Sequence, residues 1–305
     1  MHKSGYIAIV GQPNVGKSTL LNALLGQKLA AVSAKPQMTR EKILGIKTIP
    51  GAQMMFLDTP GIHRPRKSLN KTMVEAARES FHDADVLVVM IDPQVGAHGH
   101  APLQGDDAEV LRLAREHGKP LIVAINKIDT VDRRQLLPLI DRCLKEFGAS
   151  VVIPISAKLA SGLDRLEAEI LERLPEGPVY FPEDQVTDRS ERFLVEEIVR
   201  EKIMDLTRQE VPYGTAVMVE SFQEPQEDDR KKVARIQAVI IVEKDSQKGI
   251  LIGKGGQMIK QIGETARKEL ETMLGVAIYL ELFVKVDKDW TEDPRKVQEF
   301  THQPD

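Results

Sequence analysis

The sequence predicts two domains: a three-layer α/β domain with a mostly parallel sheet and helices on both faces, followed by a small α+β domain. Three observations predict this division. Up to Leu174, short apolar runs alternate with amphipathic segments. A proline-rich stretch, LPEGPVYFPED, then follows at residues 174–184, and beyond it the order of elements changes. With 305 residues available, we expect a first domain at 1–174, a linker at 175–190 and a second domain with a C-terminal tail at 191–305.

Five apolar runs predict the strands of the first domain. They are YIAIV at 6–10, MMFLD at 54–58, VLVVMID at 86–92, LIVAIN at 121–126 and VVIPIS at 151–156. Strands that are buried on both faces of a parallel sheet are short, rich in Val and Ile, and apolar throughout. Helical patterns lie between them, for example at 18–25 and 107–117.

The second domain has a different order of elements. An amphipathic helix is predicted at 191–209, strands at 215–222 and 233–243, a longer helix at 257–274 and an alternating strand at 276–286. A short apolar, helix-like stretch also precedes residue 253. The predicted order is therefore α-β-β-α-α-β.

Composition sets limits on the class of protein. Hydrophobic residues make up 42% and charged residues 29%, as in soluble globular proteins. The single cysteine, Cys143, cannot form an internal disulfide and fits a reducing compartment. We find no apolar run near the ~20 residues of a membrane span and no room for a signal peptide, so a cytoplasmic location is expected. Because the net charge is −4, a nucleic-acid partner would need a local basic patch.

A phosphate-binding loop is predicted between the first strand and the first helix. GQPNVGKS, from Gly11 to Ser18, fits the pattern G-x-x-x-x-G-K-[ST] in the required context. Glycines let successive backbone N–H groups face the phosphates, Lys17 adds a positive charge, and the Ser18 hydroxyl can bind magnesium. The predicted nucleotide-binding residues of this segment are Gly11, Asn14, Val15, Gly16, Lys17, Ser18 and Thr19.

Two later motifs predict that the base is guanine. NKID, with Asn126, Lys127 and Asp129, ends one apolar run, and SAK, with Ser156, Ala157 and Lys158, ends another. The two oxygens of Asp129 can accept from the N1–H and amino group of guanine, whereas adenine offers no such pair of donors. The Lys127 stem can lie along the base, and the SAK segment can bring a backbone N–H to the guanine oxygen.

Two further segments are candidates for sensing the terminal phosphate. DTPG comprises Asp58, Thr59, Pro60 and Gly61 after the run MMFL, and Thr39 lies in PQMTRE. Asp58 would hold magnesium, in part through water, and the Gly61 N–H would contact the phosphate. Thr39 would close its hydroxyl onto the same ion. The predicted magnesium ligands are therefore Ser18, Thr39 and Asp58.

The series QPNVGKSTLLNALLG, PQMTR, DTPGIH, NKID and SAK resembles the translation-factor-related GTPases, and in particular the bacterial Era family. This resemblance covers essentially the whole chain and implies GTP binding, slow hydrolysis and two switch segments. Ile62 stands where Ras-like proteins carry a catalytic glutamine, and an isoleucine cannot orient water. Asn14 has two interpretations: it holds a potassium ion beside the phosphates, as in similar GTPases, or it merely suits the turn.

A second glycine loop is predicted to bind a polynucleotide. IGKGGQMI resembles the GXXG loop of KH domains, which clamps a nucleic-acid backbone, and the element order is that of the prokaryotic type. The predicted RNA-binding residues are Ile252, Gly253, Lys254, Gly255, Gly256, Ile259 and Lys260. From Lys244 to Lys268 there are six basic and two acidic residues, a local net charge of +4. We also expect Ile250, Ile252 and Ile259 to line a groove for bases.

These features predict a GTP-dependent, RNA-binding switch. The resemblance implies as its partners single-stranded RNA from the 3′ region of small-subunit ribosomal RNA and the 30S subunit, whose maturation it would assist, with the chain acting as a monomer. An alternative is a signalling or membrane-associated GTPase switch whose second domain binds protein or lipid headgroups. Partial, peripheral association with the inner face of the cell membrane stays open for either function. A small-molecule kinase is disfavoured by NKID and by the lack of an arginine-rich lid.

Overall fold

The computed structural model describes residues 2–32, 43–58, 80–94, 103–207, 211, 214–225 and 232–301. These residues form two compact units. The first contains the described residues up to Ala30 and from Ile43 to Asp188. The second contains those from Arg189 onward, together with Ala31 and Val32.

A six-stranded sheet forms the centre of the first unit. Its strands are β1 (Lys3–Gly11), β2 (Ile43–Ile49), β3 (Ala52–Asp58), β4 (Val86–Ile91), β5 (Leu121–Ile125) and β6 (Val151–Pro154). They lie in the order β2-β3-β1-β4-β5-β6, and every pair is parallel except β2–β3. Because β4 and β5 are buried along their whole length, the sheet is covered on both faces, as the apolar runs predict.

The edge strand β2 is absent from the sequence-based prediction. Its sequence, ILGIKTI, is interrupted by a glycine and a lysine, and its last three residues are only half-buried. Gly45 has a packing reason: a Cβ at this position would lie 2.7 Å from Leu21 Cδ1. The glycine therefore lets the first helix pack closely over the edge of the sheet, and it also hides the strand pattern.

Among the described residues, the helices of this unit with complete bounds are α1 (Lys17–Leu25), α2 (Asp106–Glu116), α3 (Leu136–Lys145) and α4 (Leu163–Arg173). Short 3-10 turns lie at Ile128–Thr130 and Arg133–Gln135. The helices α2 and α3 pack over one sheet face, around a cluster that includes Leu111, Cys143 and Phe147. The helix α1 follows the end of β1 directly, which places the predicted phosphate loop at the carboxyl edge of the sheet.

Residues 175–188, within the predicted linker, are hydrogen-bonded to the first unit. The Ser4 N–H donates to Pro175 O at 3.1 Å, and the Ile46 N–H donates to Val186 O at 2.8 Å. The buried Gln53 accepts from the backbone N–H groups of Tyr180 and Phe181. Prolines favour an extended segment, and several of its backbone groups bond to residues of the sheet.

The second unit has the predicted order α-β-β-α-α-β. It comprises α5 (Glu191–Leu206), β7 (Thr215–Gln223), β8 (Val233–Val242), α6 (Asp245–Ile252), α7 (Gln257–Leu274) and β9 (Ala277–Val286). In the sheet order β7-β8-β9 the first pair is antiparallel and the second parallel. One face packs on the helices through residues such as Ile198, Ile240 and Leu270.

A final helix, α8 (Pro294–Thr301), is a further element that was not predicted from the sequence. The buried Trp290 meets Phe300 edge-on at a centroid distance of 5.8 Å, and its indole N–H donates to Gly214 O. The other face of the three-stranded sheet is thus partly covered by the C-terminal segment. Within the described ranges, no helix is both long enough and apolar enough to cross a membrane.

Candidate functional site

The phosphate loop has the backbone geometry that its sequence predicts. Gly16 has φ of 106° and forms the N-cap of α1 without a side-chain cap. A side chain at this position would collide with the Asn126 amide. Asn14 also adopts positive φ, at 62°, and is exposed. The loop therefore presents uncapped N–H groups at a helix N-terminus, where an anion is favoured.

Lys17 lies across this loop. Its ammonium donates to Gly11 O at 2.9 Å and to Gln12 O at 3.1 Å, and only 8% of the residue is exposed. These bonds keep a cation beside the bare backbone of the loop. Ser18 and Thr19 follow in the first turn of α1, and both are half-buried.

Asn126 connects the phosphate loop to the predicted base-binding loops. Its amide nitrogen donates to Val15 O at 2.7 Å, and its oxygen accepts from the Ala157 N–H at 2.9 Å. All three residues are buried. The NKID motif predicts that Asn126 binds nucleotide, and the structure shows that it joins three segments that are far apart in the chain. The Ala157 N–H is a candidate hydrogen-bond donor to the guanine oxygen. In this structure it donates to the Asn126 side-chain oxygen.

Asp129 is exposed at the end of the NKID motif and is oriented by Ser156. The Ser156 hydroxyl donates to Asp129 Oδ1 at 2.6 Å and in turn accepts from the Leu159 N–H. This hydrogen bond, with help from the charges of Lys158 and Lys127, lowers the pKa of the Asp129 carboxyl. Asp129 therefore offers an ionised carboxylate in a fixed orientation, as recognition of a pair of N–H donors requires.

Lys127 has a partner that was not predicted from the sequence. Its ammonium is 2.7 Å from Asp92 Oδ2, and its backbone is left-handed, with φ of 61°. Asp92 directly follows β4, so the ion pair fixes the lysine side chain beside the next strand end. One signal for this residue is present in the sequence: the run VLVVMID ends in an acidic residue at the carboxyl edge of the sheet.

The magnesium ligands and switch residues are only partly placed. Asp58 ends β3, where it pairs in register with Ile9 of β1, so its backbone lies at the same edge of the sheet as the phosphate loop. Thr39, Thr59, Pro60 and Gly61 lie outside the described residues. Hydroxyl and carboxylate oxygens suit magnesium, which keeps few protein ligands and several waters or phosphate oxygens. The described residues contain no cluster of three or more His, Cys, Asp or Glu side chains that could hold a metal ion.

The second glycine loop is built from three glycines in left-handed or related conformations. Gly253, Gly255 and Gly256 have φ of 71°, 61° and 78°. A Cβ at Gly253 would lie 2.7 Å from Met258 Cβ, whereas the positions at Gly255 and Gly256 face open space. Lys254 is exposed between them. The loop thus exposes backbone at the start of α7, where a sugar-phosphate chain can approach closely.

A groove of about 340 Å³ lies along α7, next to this loop. Its lining residues are Ile259, Lys260, Gly263, Glu264, Arg267, Leu280 and Leu282. Apolar side chains from α7 and β9 form its surface, and the basic side chains Lys260 and Arg267 are exposed. Such a groove suits unstacked bases below and phosphates at its rim.

The lining differs from the sequence-based prediction in part. Ile259 and Lys260 line the groove, but Ile250 and Ile252 do not; 48% of Ile250 is exposed. Leu280 and Leu282 of β9 line it in their place, and both also pack against the core of this unit. They are half-buried because β9 is an edge strand, so its helix-facing side chains also border the groove.

Comparisons with known proteins agree with this architecture. Residues 6–127 match the family described as 50S ribosome-binding GTPase, and residues 210–291 match the KH domain family. GTPase Era of Syntrophus aciditrophicus is 48% identical over 300 residues, which cover 98% of this chain and 95% of that protein. GTPase Era of Geobacter metallireducens is 44% identical over 298 residues, with 98% and 97% covered.

Solved structures give the same result. The crystal structure of an Aquifex aeolicus Era variant bound to GDP·AlF4⁻ superposes with a TM-score of 0.88 at 46% identity, covering 99% of this chain and all of that chain. Era in complex with MgGDPNP and nucleotides 1506–1542 of 16S ribosomal RNA also gives 0.88 and 46%, with both chains fully covered. The predicted fold, a P-loop GTPase domain followed by a KH domain, is confirmed. On these similarities over nearly its full length, the chain belongs to the Era family of GTPases.

Proposed function

We propose that this chain is a GTP-hydrolysing switch that binds single-stranded RNA from the 3′ region of small-subunit ribosomal RNA and assists maturation of the 30S subunit. The observation that carries the proposal is the presence of two different phosphate-binding geometries in one chain. One is the Gly16-capped loop beside Lys17, and the other is the three-glycine loop beside an apolar groove.

On the nucleotide side, each segment has a role. Backbone N–H groups of the loop from Gly11 to Ser18 and the Lys17 ammonium bind the phosphates. Asp129 accepts two hydrogen bonds from guanine, while Asn126 holds the phosphate loop and the SAK segment together. Ser18, Asp58 and Thr39 would hold magnesium, which neutralises phosphate charge when bound.

Potassium at Asn14 is a further part of the proposal, and it competes with a conformational explanation. The φ of 62° at Asn14 is itself a reason for asparagine, which tolerates the left-handed region. Hydrolysis rates in potassium and in sodium separate the two explanations. If Asn14 holds potassium, replacing potassium by sodium should slow GTP hydrolysis by the wild type but not by Asn14→Ala. Equal rates of hydrolysis by the wild type in both salts would leave only the conformational explanation for Asn14.

The RNA side rests on the groove and on the relatives. A family member of known structure binds nucleotides 1506–1542 of 16S ribosomal RNA together with MgGDPNP. This chain carries the glycine loop, the groove and a basic run in the same domain. We therefore infer that a single strand lies along α7, with its backbone at Gly253–Gly256 and its bases against Ile259, Leu280 and Leu282.

The test is a binding measurement with a single-stranded RNA from the 3′ end of 16S ribosomal RNA and a scrambled strand of equal composition. We expect the natural strand to bind at least tenfold more tightly in the presence of a GTP analogue. Equal binding of both strands would reject the proposed target. Binding to anionic lipid vesicles but not to RNA would instead favour a membrane-associated switch.

We further infer a cytoplasmic monomer, with peripheral membrane association as a secondary location. Support comes from the buried, unpaired Cys143 thiol, which fits a reducing compartment. Sedimentation of the purified chain and fractionation of cells test these points. A stable dimer, or a chain found only with membranes, would contradict them.

A further inference from the structure

The outer face of the three-stranded sheet, which lies opposite its helices, is covered over only part of its length. At one end the C-terminal segment packs against it through Trp290 and Phe300. At the other end, cross-strand neighbours from all three strands border a depression of about 250 Å³. We call this open part, with the adjoining end of β9, the aromatic face. Side chains on it include Arg235, Gln237, Tyr279, Glu281 and Phe283.

Two aromatic rings on this face are exposed. Tyr279 is 51% exposed and Phe283 is 53% exposed, although both belong to a strand whose other face packs on the core. They lie four residues apart on β9, a distance of about 13 Å, and therefore on the same side of the sheet. A single exposed apolar residue is ordinary on a protein surface, but two aligned rings form a pair of flat platforms.

Polar side chains surround the Tyr279 ring and are bonded to one another. The Gln237 amide donates to Glu281 Oε2 at 2.7 Å, and the Tyr279 hydroxyl donates to Glu281 Oε1 at 3.0 Å. The Arg235 guanidinium lies over the same ring, 5.9 Å from its centroid. Among the described residues that border the depression, Glu281 is the only acid, and both of its oxygens accept these bonds. The depression therefore combines an anchored ring with a cation, and its carboxylate is already engaged.

The edge strand β9 connects the aromatic face to the groove beside the glycine loop. Its side chains alternate, so Leu280 and Leu282 line the groove while Tyr279, Glu281 and Phe283 lie on the aromatic face. In the described sheet β9 is the last strand, so the two surfaces are separated only by its edge. A single strand of RNA that leaves the groove can therefore pass over this edge and reach the exposed rings.

We propose that the aromatic face is a second site for single-stranded RNA, at which bases outside the groove stack on Tyr279 and Phe283. Stacking on an aromatic ring tolerates any sequence, because every base has a flat face, and Arg235 adds a cation for a neighbouring phosphate. A protein partner fits less well, because Glu281 lies between the rings and interrupts the apolar surface. The proposal rests on the RNA-binding function proposed above, and it extends the bound strand beyond the roughly four nucleotides that a KH loop clamps.

The experiment compares RNA strands of two lengths. The short strand is the segment of about five nucleotides, from the 3′ region of 16S ribosomal RNA, that the wild type binds most tightly, and it fills the groove alone. Two long strands extend it by about ten natural nucleotides at the 5′ or the 3′ end. Affinities are measured for the full-length wild type, Tyr279→Ala, Phe283→Ala, the double variant and Tyr279→Phe.

We expect each alanine variant to bind one of the long strands about tenfold more weakly than the wild type does, and the double variant about 100-fold more weakly, because stacking at two separated rings adds. Tyr279→Phe keeps the ring and should stay within a few-fold of the wild type. Every variant should bind the short strand as the wild type does, which also shows that its groove is folded. A long strand that carries 5-iodouridine outside the short segment should crosslink to Tyr279 or Phe283.

The outcomes distinguish this proposal from the function on which it rests. If the wild type binds none of the strands, the RNA-binding function is wrong and the second site falls with it. If the wild type binds RNA but the double variant keeps full affinity for both long strands, only the second site is overturned. An equal loss of affinity for short and long strands would also overturn it, since the rings would then support the groove through β9 instead of contacting RNA.

Discussion

At the scale of single residues, the base-binding end of the nucleotide site depends on how Asp129 is oriented. Its carboxylate is exposed, yet the Ser156 hydroxyl holds one oxygen at 2.6 Å and lowers the pKa of the group. The side chain is therefore ionised at neutral pH and limited in rotation before a base arrives. Such preorganisation favours recognition of a pair of N–H donors.

This orientation leads to a prediction about base preference. Asp129→Asn should weaken GTP binding by on the order of a hundredfold, because an amide can accept only one of the two guanine hydrogen bonds. The same variant should gain affinity for xanthosine triphosphate, whose base presents an oxygen where guanine presents an amine. Competition between the two nucleotides measures both effects. Asp132→Asn is the matched control, since Asp132 is only an N-cap and asparagine caps equally well. If Asp129→Asn binds GTP with unchanged affinity, Asp129 does not contact the guanine base.

Some residues of the site are evident from the sequence and others are not, for a physical reason. Gly16, Lys17 and Asp129 belong to contiguous motifs, in which spacing along the chain reflects geometry. The partner of Lys127, Asp92, is a single acidic residue 35 positions away along the chain. The sequence indicates that an acidic residue follows β4, but it holds no signal that pairs this residue with Lys127. Only the fold brings the two together.

At the scale of elements, strands buried on both faces were the most predictable. The runs that became β1, β3, β4, β5 and β6 are apolar throughout, so burial alone indicates them. β2 is absent from the prediction because an edge strand is covered less, and because Gly45 and Lys47 interrupt its apolar run. The sequence-based prediction of the groove lining, Ile250, Ile252 and Ile259, lacks Leu280 and Leu282 of β9 for a related reason. Alternation in β9 indicates which side chains share a face, but it cannot show that the strand lies at an edge.

The first turn of α2 gives a prediction about pH and stability. Burial raises the pKa of the Asp107 carboxyl from its ordinary value of 3.8 to about 6 in the folded chain. A raised pKa means that the folded state binds this proton more tightly than the unfolded state does. The resulting stabilisation is present below about pH 4 and is lost as the pH rises through about 6. At pH 7 the ionised, buried group should cost the first domain about 2–3 kcal/mol relative to its protonated form.

Asp107→Asn tests this linkage because an amide does not titrate. The free energy of unfolding of the variant, relative to that of the wild type, should increase between pH 4 and pH 7. Above pH 8 this difference should stay constant. Hydrogen exchange of the β4 and β5 amides reports unfolding of the first domain, and the β8 amides of the second domain serve as an internal control. A difference between variant and wild type that stays constant over this pH range would contradict the raised pKa.

At the scale of the whole molecule, charge is distributed unevenly along a mildly acidic chain. The net charge is −4, whereas the segment from Lys244 to Lys268 carries +4. In the structure this segment spans α6, the glycine loop and most of α7, so its basic residues flank the loop and the groove. The domain that carries the groove has its own core, separate from that of the nucleotide site. A change in the glycine loop should therefore alter RNA binding and leave nucleotide binding unchanged.

The last prediction uses this separation to test the RNA clamp. Lys254→Asp with Gly255→Asp places negative charge where the phosphates should lie. Gly255 suits the change because its Cβ would face open space and aspartate tolerates positive φ, whereas a side chain at Gly253 would strike Met258. We expect affinity for single-stranded RNA to fall by about 10²–10³-fold, and the log–log salt slope to become shallower by roughly 0.7 for each phosphate that is no longer neutralised. GDP affinity should not change.

Lys288→Asp is the control. It alters an exposed lysine after β9 and should leave RNA affinity within a few-fold of the wild type. Filter binding at several salt concentrations measures all three proteins, with a duplex of the same sequence expected to bind poorly. If the double variant retains both the affinity and the salt slope of the wild type, the loop only caps α7 and RNA must bind elsewhere.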